Sequence, residues 1–423
     1  MTPNYKRTRL ACYSAYFTMS SIFVLPPLLF ATLQDIYGIS YTLLGSLVLA
    51  NFCTQMIVDL LFSLFAKKFN AKILVRLTPL ITSLGLVIYA LVPHFFPQYA
   101  YAGLLAGTII FSVASGLSEV MLSPTIAALP SDNPQRDMSM LHSLYAFGIF
   151  FVIVVSTAYF ALFDREQWMY LTLFFAALPV IAAVMFMLSP RPDLQGESEQ
   201  ERASRSRSRT VGLALCVACI FFGSCAENTM SNWISGYMEN ALHIPKAVGD
   251  MLGLAAFAIL LGLTRITYAK YGKNIFRMLT VGMIGAAVCY LVVVFSPGPV
   301  PALIACVLTG IFTSMLWPGT LIMMEENIPY VGVAAYAIMA SGGDLGASVA
   351  PQLMGIVTDA VSASPLGARL ARQLALTPEQ VGLKAGMLAC SIFPILGMIV
   401  LFFTVRFFKK RKQSTQASIV NNM

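Results

Sequence analysis

Gly116-Leu-Ser-Glu119-Val-Met121-Leu122-Ser-Pro124 is an apolar segment with one acid at its middle. Its skeleton returns 194 residues later as Gly310-Ile-Phe-Thr-Ser-Met315-Leu316-Trp317-Pro318. Both copies read Gly, four residues, Met-Leu, one residue, Pro. The same offset carries Gly148 onto Gly342. Several matches at one offset, inside long apolar stretches, predict a duplicated chain.

Composition says what surrounds those stretches. The chain has 423 residues, of which 58% are hydrophobic and 11% charged, with a mean hydropathy of +0.76. A soluble protein is about one quarter charged. A membrane core of ~30 Å takes ~20 apolar residues per helical crossing, and with its connection each crossing uses about 35. The length therefore holds about twelve crossings and little else. Apolar runs against polar breaks place them at 8–33, 40–66, 72–93, 98–129, 134–163, 166–188, 210–241, 246–270, 275–296, 300–327, 331–361 and 381–408. The first run follows Lys6, Arg7 and Arg9. It is too long for a signal peptide and has no small-residue cleavage site, so it reads as a retained span.

Basic residues set the orientation. With the N-terminus inside, 22 of the 27 Lys and Arg fall on the cytoplasmic side, leaving Arg165, Lys246, Arg369, Arg372 and Lys384 outside. Both termini are expected in the cytoplasm, and the net charge of +8 becomes a topology signal that needs no nucleic-acid partner. The eight Cys all sit in apolar runs, Cys216-x-x-Cys219 included, and read as small apolar residues. The longest polar break, 189–209, is rich in Ser, Arg, Glu and Gln. The expected organisation is a six-helix bundle at 1–188, a linker at 189–209, a second six-helix bundle at 210–408 and a cytoplasmic tail at 409–423. This is an all-α membrane fold of two pseudo-symmetric halves, an architecture in which transporters bind substrate between the repeats near the midplane. Trp168 reads as an interfacial aromatic, and His94 and His243 as span-end residues. Thr377-Pro378-Glu379-Gln380 reads as a capping box, and 365–375 as a short amphipathic helix or an exposed loop.

Two six-helix halves with a basic loop between spans two and three resemble the major facilitator superfamily. The closer resemblance is to its fucose–proton symporter group. Gly116 to Pro124 resembles that group's fourth span, with a membrane Glu and a following Pro. Leu141-His142-Ser-Leu-Tyr145-Ala-Phe-Gly148 resembles its fifth span. Glu227-Asn228 with Trp233-Ile-Ser-Gly-Tyr237 resembles a seventh-span pattern, and Gly342-Gly343-Asp344 to Gly355 resembles the eleventh. The chain departs from the family pattern in the loop after span two, where Lys67 and Asn70 stand for an Asp and a Gly, and at Ser123, where the group has Asn. The resemblance implies a monosaccharide as the favoured solute and alternating access as the mechanism.

Ionisable residues at membrane depth are costly, and so mark function. Glu119, Glu227 and Asp344 are the candidates for proton coupling or substrate contact. Glu119 lies on one polar face with Ser112, Gly116 and Ser123. A carboxyl in a partly dry cavity can take up and release a proton near neutral pH. The alternative is a carboxylate paired to Arg265 that locks the bundle. Substrate-binding candidates are Asn51, Gln55, His142, Tyr145, Asn228, Asn232, Trp233, Trp317 and Gln352. Amides bond hydroxyls, and Trp rings cover a sugar's C–H face. Asp59, Lys67, Lys68 and Arg265 are the gating candidates, and Asp359 is expected at the outer interface.

No Walker lysine, HExxH, G-x-S-x-G or metal cluster is present, so neither an enzyme nor an ATP-driven pump is expected, and no cofactor. The expected activity is secondary transport of a small neutral polar solute, coupled to a proton or to sodium, by a monomer in a lipid bilayer, the bacterial inner membrane being the expected one. A drug or metabolite exporter is the alternative within the fold, and a transport-inactive receptor or scramblase the alternative outside it.

Overall fold

In the computed structural model, residues 5–39, 41–65, 70–190, 207–245, 248–296, 298–329 and 331–421 are described. All twelve predicted spans carry helix: α1 Lys6–Tyr37, α2 Tyr41–Phe65, α3 Ala71–Phe95, α4 Ala100–Ala127, α5 Pro134–Leu162 and α6 Trp168–Met187. After the linker come α7 Arg207–Leu242, α8 Gly249–Ala255 continued as Ala256–Tyr271, and α9 Ile275–Phe295. Then follow α10 Pro299–Thr313 continued as Pro318–Asn327, α11 Val333–Ser362, and α12 Pro378–Cys390 continued as Ile392–Asn421. Ten stretches among the described residues are long and apolar enough to cross a membrane. Within α2, Ser46–Phe62 is a shorter apolar helix, and α11 is 30 residues long but diluted by Gly, Ser and Asp344. Helices are what a lipid environment demands, because each satisfies its backbone internally. Leu64, Val288, Phe402 and Phe403 point outward, where lipid replaces water as the solvent.

The chain forms two compact units. The first joins Met1–Gly196 with Ala258–Lys270 of α8 and Gly332–Asp344 of α11. The second comprises Glu197–Phe257, Tyr271–Val331 and Leu345–Met423. In the first unit α3 lies along α4 and α6, α1 along α5 and α6, and α2 along α4. In the second, α9 lies along α10 and α12, α7 along α12, and the first turns of α8 along α10.

Glycines mark the tightest crossings of this repeat. A Cβ on Gly148 of α5 would strike the Phe17 carbonyl and Ser20 of α1, and one on Gly346 of α11 would strike the Phe221 carbonyl and Ser224 of α7. Gly116 of α4 faces Val58 and the Gln55 carbonyl of α2, as Gly310 of α10 faces the Phe257 carbonyl of α8. The packing partner of Gly148 in the repeat is thus Gly346, one turn beyond the Gly342 that the constant offset selects. The duplicated fourth-span motif also takes two forms. Pro124 lies inside a continuous α4, whereas α10 breaks at Ser314–Trp317 before Pro318.

Other expectations resolve locally. Trp168 is buried, with Tyr37 and Tyr89 standing edge-on at 6.2 and 6.3 Å, so it is a core residue of α6 and no interfacial anchor. The capping box forms in full at Thr377 and Gln380. Gln380 also donates to the Ala241 carbonyl and to His243 Nε2, at 3.1 and 3.0 Å, tying α7 to α12. The segment 365–375 contains the helix Pro365–Leu374, capped by Ser364. The expected tail continues the helix of α12 as far as Asn421. All eight Cys are free thiols, and seven are buried.

Candidate functional site

The site in the first unit begins where α2 crosses α4. Gly116 gives α4 no side chain there; a Cβ would lie 3.0 Å from Val58 Cβ and 3.2 Å from the Gln55 carbonyl. This close approach lets polar stripes of i, i+4 spacing meet. Gln55 Nε2 donates to Asn51 Oδ1 at 2.9 Å within α2. Across the crossing, Ser112 Oγ donates to the same Asn51 oxygen at 2.6 Å, and Ser115 Oγ to Gln55 Oε1 at 2.9 Å. Asn51 and Gln55 are buried, so these bonds replace water they cannot reach.

One turn further along both helices the residues become acidic. Asp59 of α2 is fully buried, and among the described residues no hydrogen-bond donor reaches either of its oxygens. Its side chain meets that of Asp344, from the α11 segment belonging to this unit. Glu119 of α4 is only partly buried and lies within electrostatic reach of Asp59, Asp344 and Arg265. Arg265, from the α8 segment of the same unit, is almost wholly buried. Its NH1 donates to the His142 carbonyl at 2.8 Å, and its own carbonyl accepts from Ser139 Oγ at 2.6 Å. Of the three carboxyls, Glu119 is the one within electrostatic reach of the buried Arg265.

Tyr16 of α1 completes the cluster. Its hydroxyl donates to Glu119 Oε1 at 3.2 Å and lies 3.2 Å from His142 Nδ1. The Tyr16 and His142 rings meet edge-on at 4.9 Å. Tyr145 stands edge-on to Tyr16 at 6.1 Å and to Phe23 at 5.7 Å. His142 is buried, and its Nε2 has no hydrogen-bond partner among the described residues. Sequence reasoning missed Tyr16. Tyr13 and Ser20 lie at helical spacing from it but do not single it out, and only its depth, level with His142 on the neighbouring helix, reveals it.

Eight of the sequence-predicted residues therefore gather in the first unit: Asn51, Gln55, Asp59, Glu119, His142, Tyr145, Arg265 and Asp344. The others belong to the second unit or fall outside the description. Glu227 and Asn228 of α7 are partly buried. Asn228 Nδ2 donates to Ser224 Oγ at 3.1 Å, and Asn232 Nδ2 to the Asn228 carbonyl at 2.8 Å, so both amide donors serve their own helix. Trp233 Nε1 donates to the Pro351 carbonyl of α11 at 3.1 Å, beside the exposed Gln352, and its ring covers Gly355. Trp317 closes the break in α10 and is partly buried. Lys67 and Lys68 lie outside the described residues. Among the described residues no cluster of His, Cys, Asp and Glu is arranged to hold a metal ion.

The sequence pattern of the Major Facilitator Superfamily matches residues 11–351, and the chain belongs to that family. No curated protein matches the chain. Solved structures resemble it in fold at low identity. The E. coli fucose:proton symporter FucP, in its outward conformation, superposes with a TM-score of 0.69 at 17% identity, over 96% of this chain and 99% of that one. The proton:xylose symporter XylE, bound to 6-bromo-6-deoxy-D-glucose, gives a TM-score of 0.75 at 13% identity over 94% of each chain. The human organic anion transporter MFSD10 gives 0.70 at 12%, over 95% of this chain and 100% of that one. The protein is a multi-pass integral membrane protein with a transporter fold.

Proposed function

We propose that the protein is a secondary active transporter that moves a small neutral polar solute, of the monosaccharide class, together with a proton. The observation that carries this reading is Glu119. Its partly buried carboxyl stands at the end of the Asn51–Gln55–Ser112–Ser115 ladder and is bonded to Tyr16, with Arg265 and Asp344 in electrostatic reach. A carboxyl so placed can exchange its proton with water on one face while its charge is felt by residues from α1, α8 and α11. Protonation then changes the charge balance of the segments that must move in alternating access. The fold shared with two sugar:proton symporters supports the solute class. Glu227, Asn228, Asn232, Trp233, Trp317 and Gln352 are proposed as the second unit's share of solute contacts, and Asp59 and Arg265 as gating residues. Both termini are proposed to face the cytoplasm, on the distribution of Lys and Arg.

Thermal unfolding of the purified protein against a panel of monosaccharides tests the solute class. A ligand that binds only the folded state adds about 2.7 kcal/mol at one hundred times its Kd, which reads as a raised midpoint. A shift with a hexose or pentose supports the reading. A shift only with organic anions or lipophilic cations replaces it with an exporter of the same fold.

A further inference from the structure

We infer that Tyr16 and His142 form a proton wire ending on Glu119, with His142 Nε2 as its far terminus. The inference rests on Glu119 being the coupling group and adds the path by which its proton leaves or arrives. The geometry gives a continuous chain: Nε2, through the imidazole to Nδ1, 3.2 Å to the Tyr16 hydroxyl, and 3.2 Å to Glu119 Oε1. The two ends differ. Glu119 is partly exposed, whereas Nε2 is buried and bonded to nothing among the described residues. A buried imidazole nitrogen without a partner is a cost that a purely structural His would avoid.

The direction of the bonds fixes the chemistry. With Glu119 ionised, Tyr16 donates to it, so the Tyr16 oxygen can only accept from His142. The ring is then the Nδ1–H tautomer and Nε2 is a bare acceptor. A proton arriving at Nε2 forms an N–H there. The Nδ1 proton passes to the Tyr16 oxygen, and the Tyr16 proton passes to Glu119. One proton has entered, Glu119 is neutral, Tyr16 is unchanged, and the ring is again neutral as the Nε2–H tautomer. The reverse sequence discharges Glu119. Tyr16 and His142 relay the proton and store none.

The surroundings suit a gated wire. Besides Tyr16 and Glu119, the groups facing it are Tyr145 on α5, Arg265 from α8, Asp344 from α11, and Asp59 of α2 next to Asp344. Arg265 grips the His142 carbonyl while its own carbonyl takes the Ser139 hydroxyl, so α8 is fastened to α5 at the level of the ring. In this arrangement Nε2 is buried, and Glu119 is the end of the wire that is partly exposed.

The test reads the ring itself and requires no substrate. The chain has three His, so 15N-histidine labelling with solid-state NMR in bilayers resolves each ring, and His142→Gln identifies the signal of interest. On acidification, the neutral His142 ring should change from Nδ1–H to Nε2–H as Glu119 takes its proton. Glu119→Gln should leave the tautomer independent of pH. Tyr16→Phe should uncouple the ring while Glu119 still titrates, followed by its infrared carboxyl band. The same tautomer at both ends of the Glu119 titration in the wild-type protein would overturn the wire. So would a tautomer change that survives Tyr16→Phe in a folded protein. Should Tyr16→Phe fail to fold, the wild-type and Glu119→Gln spectra decide. Failure to transport sugars would refute the proposed solute and leave this measurement standing.

Discussion

Gly148→Ala should damage the site more than it damages the fold. The added Cβ would strike the backbone carbonyl of Phe17 and the Ser20 side chain of α1. A carbonyl cannot rotate away inside a helix, so α1 and α5 must part. Carbon and oxygen settle at about 3.3–3.6 Å, which calls for a separation on the order of 1 Å. Tyr16 precedes Phe17, and its bonds to Glu119 and His142 are both 3.2 Å. A further 1 Å between α1 and α5 takes the Tyr16–His142 contact past the limit of hydrogen bonding, about 3.5 Å. In stability the terms oppose. Ala gains about 1 kcal/mol over Gly in a helix interior, while overpacking costs about 1–3 kcal/mol. The net loss is at most about 2 kcal/mol. Gly346→Ala is the internal control, because its Cβ meets the Phe221 carbonyl and Ser224 at the equivalent crossing, where the segment beside it carries no residue of the wire. Thermal midpoints should fall by similar amounts in the two variants. Only Gly148→Ala should uncouple the His142 tautomer from Glu119. A Gly148→Ala protein with that coupling intact would refute the packing argument.

Three further outcomes follow from local structure. Trp168→Ala should cost about 3–5 kcal/mol, read as a large fall in thermal midpoint, because the indole is buried against Tyr37 and Tyr89; an anchor at the membrane interface would lose far less. Thr377→Ala should cost about 1 kcal/mol by removing the N-cap acceptor of α12, and an unchanged midpoint would show the cap to be idle. Asn51→Leu should destabilise by roughly 1–3 kcal/mol, because it strips the acceptor from the buried Gln55 amide, while Ser112 keeps the Thr108 carbonyl. Ser112→Ala should cost less, since it removes one donor from an oxygen that keeps another. Equal effects would contradict the ladder.

Much of the fold was legible because the membrane restricts the choices. A chain this apolar must cross as helices, and the polar breaks mark their ends. The repeat was legible from Gly116 and Gly310, whose small size is needed at equivalent crossings. Its register was less so. A constant offset led from Gly148 to Gly342, yet α1 to α7 and α5 to α11 are separated by different chain lengths, and packing selects Gly346. Trp168 misled because an aromatic at the start of a span looks alike whether it faces lipid headgroups or neighbouring Tyr rings.

The site was legible where chemistry is rare in the sequence. Acids at membrane depth are few, so Asp59, Glu119 and Asp344 stood out, and Asp59 and Asp344 prove to be in contact. Amides at helical spacing pointed to Asn51 and Gln55. Tyr16 was invisible, because a Tyr among Ala, Cys and Phe carries no sign of which side its hydroxyl faces. Asn228 and Asn232 had the right spacing, but that spacing also serves bonds within their own helix, and the structure uses their amide donors so.

Proton-coupled movement of a neutral solute through Glu119 can be read in a single transport assay. The measurement that tests it most directly is uptake of radiolabelled monosaccharide into proteoliposomes under an imposed pH gradient, for the wild-type protein and Glu119→Gln. The wild-type protein should accumulate sugar above equilibrium and lose it on collapse of the gradient. Glu119→Gln should exchange labelled for unlabelled sugar but not accumulate it. Full accumulation by Glu119→Gln would contradict the claim.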